Sequence, residues 1–428
     1  MEKNTQIKYA QDLDQQDPLA SFRDRFVISD PDLIYLDGNS LGRLPMDTMQ
    51  HIQDVVENQW GKDLINSWNK GWFEKPSIIG SRLAELIGAK PDEVLVCDTT
   101  SVNLYKLAAA ALLYQKDKTE LLSDEFNFPT DLYVFQGVID ILGKGHQLKL
   151  IQSANSITID DKVVENEINS DTALVALTQV AFKSGFMYDI KKVTELAHQA
   201  GALVLWDLCH SVGAVPLELN NWDVDLAVGC TYKYLNGGPG SPAFLYVRKD
   251  LQNLLRPPIW GWFADKSPFA FNLDFTPAEG INRFQISTPH ILSMAGIEPA
   301  LEILLEAGIE SLRNKSIRQT EYLIYLVQEW LAPLGFELGS PLDPNIRGSH
   351  VSVRHPEAYR ICRALINPKS GDTSLRVIPD FRAPNNIRLG IAPLYTSYED
   401  IYRALKRIKA ILEDGIYQNY SDQQLSVT

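Results

Sequence analysis

From about residue 90 to residue 250 the chain alternates short apolar runs with helical stretches. This pattern leaves few architectures open. The runs are EVLVCD (93–98), TELLSDE (119–125), TALVALTQV (172–180), ALVLWD (202–207), LAVGC (226–230) and AFLYVRK (243–249). Several are apolar at every position rather than every second one, as buried parallel strands covered by helices on both faces must be. Helices are predicted between them at 101–115, 130–143, 189–199 and 251–256. Repeated strand–helix–strand units of this kind predict an α/β fold with a mostly parallel sheet, whose ligands bind beyond the carboxyl ends of the strands. Further helices are predicted at 45–60 and 78–88. A long aromatic loop follows at 257–290, and loops of that length are commonly functional. Helix dominates 291–333. Strand-like FELGS, SHVSVRH and SLRVIPDF, with helices at 356–366 and 398–414, then make a smaller C-terminal α+β domain. The expected division is an N-terminal arm with its helices (1–60), a large domain (61–300) and a small domain (301–428).

At 428 residues and 45% hydrophobic content, the chain can bury more than one core. The formal charge of −14 argues against nucleic acid as a partner. The basic group Arg403, Lys406, Arg407 and Lys409 reads as a solvated helix face. Four scattered cysteines show no CxxC pair and no metal-ligand spacing. The polar start MEKNTQIKYAQDLDQQD lacks the apolar core of a signal peptide, and no apolar run reaches the ~20 residues of a membrane helix. A reduced, cytoplasmic protein is expected.

Two stretches carry the chemistry. CTYKYLNGGPGSPAFLYV (230–247) places Lys233 before a glycine-proline turn, and LVLWDLCHSVG puts Asp207 and His210 just after an apolar run. A lysine and a carboxylate delivered to one pocket suit pyridoxal 5′-phosphate (PLP). The lysine can hold the cofactor as a Schiff base, and the carboxylate can keep its pyridine nitrogen protonated. His210 can lie near the ring or serve only the turn. In CDTTSVN (97–103) a strand meets a helix start, whose free N–H groups attract phosphate; Thr100 and Ser101 are the candidates. No GxxxxGK[ST] is present, and Gly237, Gly238 and Gly240 have the wrong spacing for a dinucleotide fingerprint. Phe128 follows a strand end and can stack on a flat cofactor, with Asp131 in reach of the same region. Arg388, in NNIRLGIAPLY, can clamp a carboxylate with two parallel hydrogen bonds or make a surface salt bridge. Trp262 and Thr288 lie in the aromatic loop region, which can fold over a substrate or enter a partner subunit.

YLDGNSLGRLP (35–45), TTSVNL (99–104), residues 205–247 and PPIWGWF (257–263) together resemble kynureninases, in the fold-type-I group of PLP enzymes related to class V aminotransferases. The likeness runs on to 385–395. It implies a homodimer with active sites at the subunit interface. It also implies PLP on Lys233, Asp207 at the pyridine nitrogen and His210 near the ring. Thr100, Ser101 and Tyr232 would hold phosphate, Phe128 would stack, Trp262 and Thr288 would come from the other subunit, and Arg388 would hold the substrate α-carboxylate. Cys209 departs mildly from the small residue, such as alanine, common at its position. The implied reaction is hydrolysis of L-kynurenine to anthranilate and L-alanine, with Lys233 as base at Cα and Tyr232 assisting proton transfer near the γ-carbonyl. Likeness to the bacterial members favours kynurenine over its 3-hydroxy form. Tryptophan breakdown and NAD synthesis are both open as the route served. A cysteine desulfurase is the nearest rival and needs a nucleophilic thiol on a mobile loop; an aminotransferase is possible on fold alone.

Overall fold

The computed structural model describes residues 3–369 and 375–423. Its central element is a seven-stranded sheet in the order Val94–Val96, Phe244–Val247, Leu226–Gly229, Leu203–Asp207, Thr172–Thr178, Glu120–Asp124, Gln147–Ile151. The last five strands run parallel. Phe244–Val247 pairs antiparallel with both neighbours, so it alone runs against the other six strands, and the outermost strand Val94–Val96 has the same direction as the parallel five. The strands from 172, 203 and 226 are buried at every residue, which is why they read as continuous apolar runs. Helix Thr100–Tyr114 is also apolar around most of its circumference, with Leu104, Leu107 and Ala108–Leu112 buried.

One predicted helix is absent, and one strand goes unforeseen. Residues 251–256 form a turn, not a helix, with Leu254 and Leu255 N–H groups bonding Leu251 C=O. Pro257 and Pro258 leave no room for a second helical turn. Strand Gln147–Ile151 goes unforeseen because it is an edge strand, exposed at its first residue and buried only at its last.

The smaller sheet is antiparallel throughout, in the order Asp380–Arg382, Asn386–Gly390, His350–Arg354, Glu337–Leu338. Helices Ile309–Leu326, Ala358–Ile366 and Tyr398–Glu413 supply its core. On the last of these Arg407 is buried, so the basic cluster is not one solvated face. Tyr9, Ala10, Leu13 and Ile34 belong to this same core. The N-terminal segment is also tied in by a parallel pairing of Leu33–Tyr35 with Arg376–Ile378.

That pairing positions part of the site. Leu36 C=O accepts from Gly390 N–H (2.7 Å), and the chain then turns through Asn39 and Ser40. Gly42 N–H donates to Tyr232 C=O at 2.8 Å. A Cβ on Gly42 would collide with the Lys233 carbonyl and the Asn236 side chain, so only glycine lets this turn lie against the lysine loop.

Candidate active site

The carboxyl ends of the parallel strands converge on a cavity of about 260 Å³. Strand Leu203–Asp207 ends in Asp207, directly opposite Thr178 at the end of Thr172–Thr178. Asp207 is buried, and each oxygen has a donor. Cys209 N–H reaches Oδ1 at 2.9 Å, and Thr178 Oγ1 lies 3.3 Å from Oδ2. Strand Leu226–Gly229 leads into the loop that carries Tyr232 and Lys233. Lys233 Nζ is 3.1 Å from His210 Nε2. Burial first, and the Lys233 charge second, hold His210 well below the usual imidazole range. That environment favours the neutral ring, whose Nε2 can accept from the lysine.

Thr100 and Ser101 open helix Thr100–Tyr114 behind the cap Thr99, whose Oγ1 accepts from Val102 N–H. Their own N–H groups lie in the first turn, where no intrahelical acceptor exists, and both residues line the cavity. Phe128 and Asp131 enter from the start of helix Pro129–Leu142. Phe128 is 41% exposed and meets Phe182 edge-to-face, with ring centroids 5.2 Å apart. Asp131 is buried with Oδ2 unpartnered. Burial, then Asp207, hold its carboxyl well above the usual range.

Arg388 comes from the small sheet and is 1% exposed. Nη1 donates to Phe182 C=O (2.6 Å), and Nη2 meets Ser40 Oγ (2.7 Å) and Asp380 Oδ2 (2.6 Å). Nε has no partner. The guanidinium is thus braced from three sides and keeps donor capacity for a carboxylate in the cavity.

Ten of the foreseen residues bear on one chain's cavity as follows: Thr100, Ser101, Phe128, Asp131, Asp207, His210, Tyr232, Lys233 and Arg388 line it, while Cys209 sits among them with its thiol 3.8 Å from Thr100 Oγ1. Trp262 and Thr288 do not. Trp262 is 46% exposed, and Thr288 is exposed beside Cys97 and Asp98 in a separate small cleft. Asn39, Ser40, Thr130, Thr178, Phe182 and Arg382 complete the lining, unforeseen individually. Asn39 is fully buried with both side-chain atoms unpartnered. Its only signal was membership of the YLDGNSLGRLP stretch.

These features fit PLP. They provide an amine in a half-buried setting, a fixed carboxylate for a pyridine nitrogen, an aromatic face, free N–H groups at a helix start, and unpartnered polar atoms on Asp131, His210 and Asn39.

The class-V aminotransferase family model matches residues 34–338, and the model of the kynureninase C-terminal domain matches 312–408. The kynureninase of Pseudomonas fluorescens is 41% identical over 406 residues, covering 94% of both chains. The chain belongs to the kynureninase family. The kynureninase of Geobacillus thermodenitrificans is 40% identical over 426 residues, covering 98% of this chain and 97% of that one. As a member, the chain is a fold-type-I PLP enzyme of the kynurenine pathway. The fold is shared more widely. A cysteine desulfurase from Thermococcus onnurineus superposes with a TM-score of 0.76 at 19% identity, covering 94% of this chain and 98% of its own. A cysteine desulfurase from Escherichia coli gives 0.77 at 17%, covering 92% and 98%.

Proposed function

We propose that the chain is a homodimeric hydrolase that cleaves the Cβ–Cγ bond of L-kynurenine to give anthranilate and L-alanine. The observation that carries this reading is the convergence of Lys233, Asp207 and Arg388 on one cavity in a chain similar to a kynureninase over 94% of its length.

When bound, PLP supplies an electron sink that lets Cα lose a proton and the Cβ–Cγ bond break. The protein's residues divide the remaining work. Asp207, fixed by Cys209 N–H and Thr178, holds the proton at the pyridine nitrogen. Lys233 Nζ anchors the cofactor and, released from it, takes the proton from substrate Cα. Neutral His210 holds Nζ in place through Nε2. Arg388 orients the substrate through its α-carboxylate. Burial raises the Tyr232 hydroxyl above its ordinary range, so it stays protonated as a donor near the γ-carbonyl.

A dimer is supported by the exposed apolar cluster that Trp262 forms with Phe269 and Phe271, side chains 46–74% exposed whose rings lie against one another. Trp262 and Thr288 lie outside their own chain's cavity, as residues serving a partner's site would. A desulfurase reading lacks support despite the shared fold, because Cys97, Cys209, Cys230 and Cys362 are all buried.

Steady-state kinetics with L-kynurenine and 3-hydroxy-L-kynurenine, with products identified by mass, test the proposal. Anthranilate and alanine at the higher kcat/KM are expected. Faster formation of 3-hydroxyanthranilate would reverse the substrate preference, and no cleavage of either would sink the reaction.

A further inference from the structure

Lys106 is fully buried, in a chain where a charged side chain has no need to be. It lies in helix Thr100–Tyr114, behind the first turn that faces the cavity. Its Nζ is 2.7 Å from Asp98 Oδ2, 2.7 Å from Phe284 C=O and 3.5 Å from Cys97 Sγ. All three ammonium hydrogens thus have acceptors. None points into the cavity, so Lys106 does not touch a ligand there.

The two oxygen partners stand at informative places. Asp98 has φ of 50°, in the left-handed region that residues other than glycine seldom adopt. It turns the chain from strand Val94–Val96 into Thr99, Thr100 and Ser101, and its carbonyl is pinned by Ala243 N–H at 2.8 Å. On the other side, Phe284 leads into residues 285–290. These lie against Cys97 and Asp98 around the small cleft that contains Thr288. One buried cation therefore joins the turn that aims Thr100 and Ser101 to the segment that carries Thr288.

We infer that Lys106 is a positioning residue for the phosphate end of the cofactor site, holding the Asp98 turn and the Phe284–Thr288 segment in register. This rests on the reading that Thr100 and Ser101 receive the PLP phosphate. A lysine serving stability alone would affect the whole site without distinguishing phosphate from ring. A positioning lysine affects the phosphate selectively.

The test compares PLP with pyridoxal, which has the ring and aldehyde but no phosphate. Apoprotein of the wild type and of Lys106→Met is titrated with each, and covalent attachment is followed by absorbance. Lys106→Met is expected to weaken PLP at least tenfold and to leave pyridoxal within twofold. A change below threefold for PLP, or an equal loss for both ligands, overturns the inference. If Lys106→Met is not soluble, Asp98→Asn decides, since it keeps the lysine and removes its anionic partner. A selective loss for PLP of threefold or more is then expected, and an unselective loss or none overturns it. Failure of the wild type to attach PLP would instead sink the proposed function, so the two failures are distinguishable.

Discussion

Replacing Arg388 by lysine separates the charge of the clamp from its shape. The guanidinium is braced by Phe182 C=O through Nη1 and by Ser40 and Asp380 through Nη2, while Nε is unpartnered and the group lines the cavity. A lysine ammonium is one point charge. It can retain Asp380, but it cannot also reach Phe182 C=O and offer two parallel donors to a carboxylate. Hydrogen bonds to charged groups are worth ~1.5–3 kcal/mol each. Losing one prong of a two-pronged contact should thus cost ~2–3 kcal/mol of substrate binding, or roughly 30- to 150-fold in kcat/KM. Because the α-carboxylate is held before and during the reaction, the loss should appear mainly in KM. Arg388 is not assigned to the cofactor, so PLP affinity should stay within about threefold of the wild type, a difference under ~0.7 kcal/mol. The assay is steady-state anthranilate release from Arg388→Lys beside a PLP titration of its apoprotein. A kcat/KM within threefold of the wild type would refute the assignment of Arg388 to the carboxylate. So would a loss confined to PLP binding.

Asp207→Asn should keep covalent PLP attachment, because Lys233 is untouched, yet lower kcat by ~100-fold or more as the pyridine nitrogen loses its anion; attachment is read by absorbance and turnover by product release. Asp124 is buried beneath the turn that leads to Phe128, accepting from Phe126 and Asn127 N–H groups and from Tyr188 O–H, and burial raises its carboxyl to about 6. A folded-state value above the unfolded one means that the folded protein binds this proton more tightly, so its contribution is complete below about pH 4 and lost as pH rises to about 6. The effect is on the order of 3 kcal/mol at most. Urea unfolding at pH 4.5 and 6.5 should show the wild type gaining on Asp124→Asn at the lower pH; a pH-independent difference would contradict this. If Trp262 and Thr288 serve the partner's site, mixing Lys233→Ala with a Trp262→Ala, Thr288→Ala double variant should restore activity. Random hybrids contain one complete site each, giving about a quarter of the wild-type rate.

The sheet was legible because its central strands are buried on both faces and so leave uninterrupted apolar runs. Where that physical cause was absent, the sequence was silent. Gln147–Ile151 is a half-exposed edge strand, and the antiparallel course of Phe244–Val247 depends on a turn geometry that residue pattern does not encode. Lys233, Asp207 and His210 could be found because they lie beyond recognisable strands and have chemistry of their own. Asn39, Ser40 and Arg382 could not be assigned. They reach the cavity only through the pairing of Leu33–Tyr35 with Arg376–Ile378 and the approach of the small sheet, contacts between distant parts of the chain. Thr178 looked like one more strand residue until the register set it opposite Asp207. Lys106 gave no signal at all, since its meaning lies in the carbonyl of Phe284 far along the chain.

The central claim is that Lys233 carries the cofactor and the catalysis. The most direct measurement is kynurenine turnover by Lys233→Ala beside the wild type, both supplied with PLP. The wild type should release anthranilate and alanine in equal amounts, and Lys233→Ala should neither attach PLP covalently nor turn over. Near-normal turnover by Lys233→Ala would contradict the account.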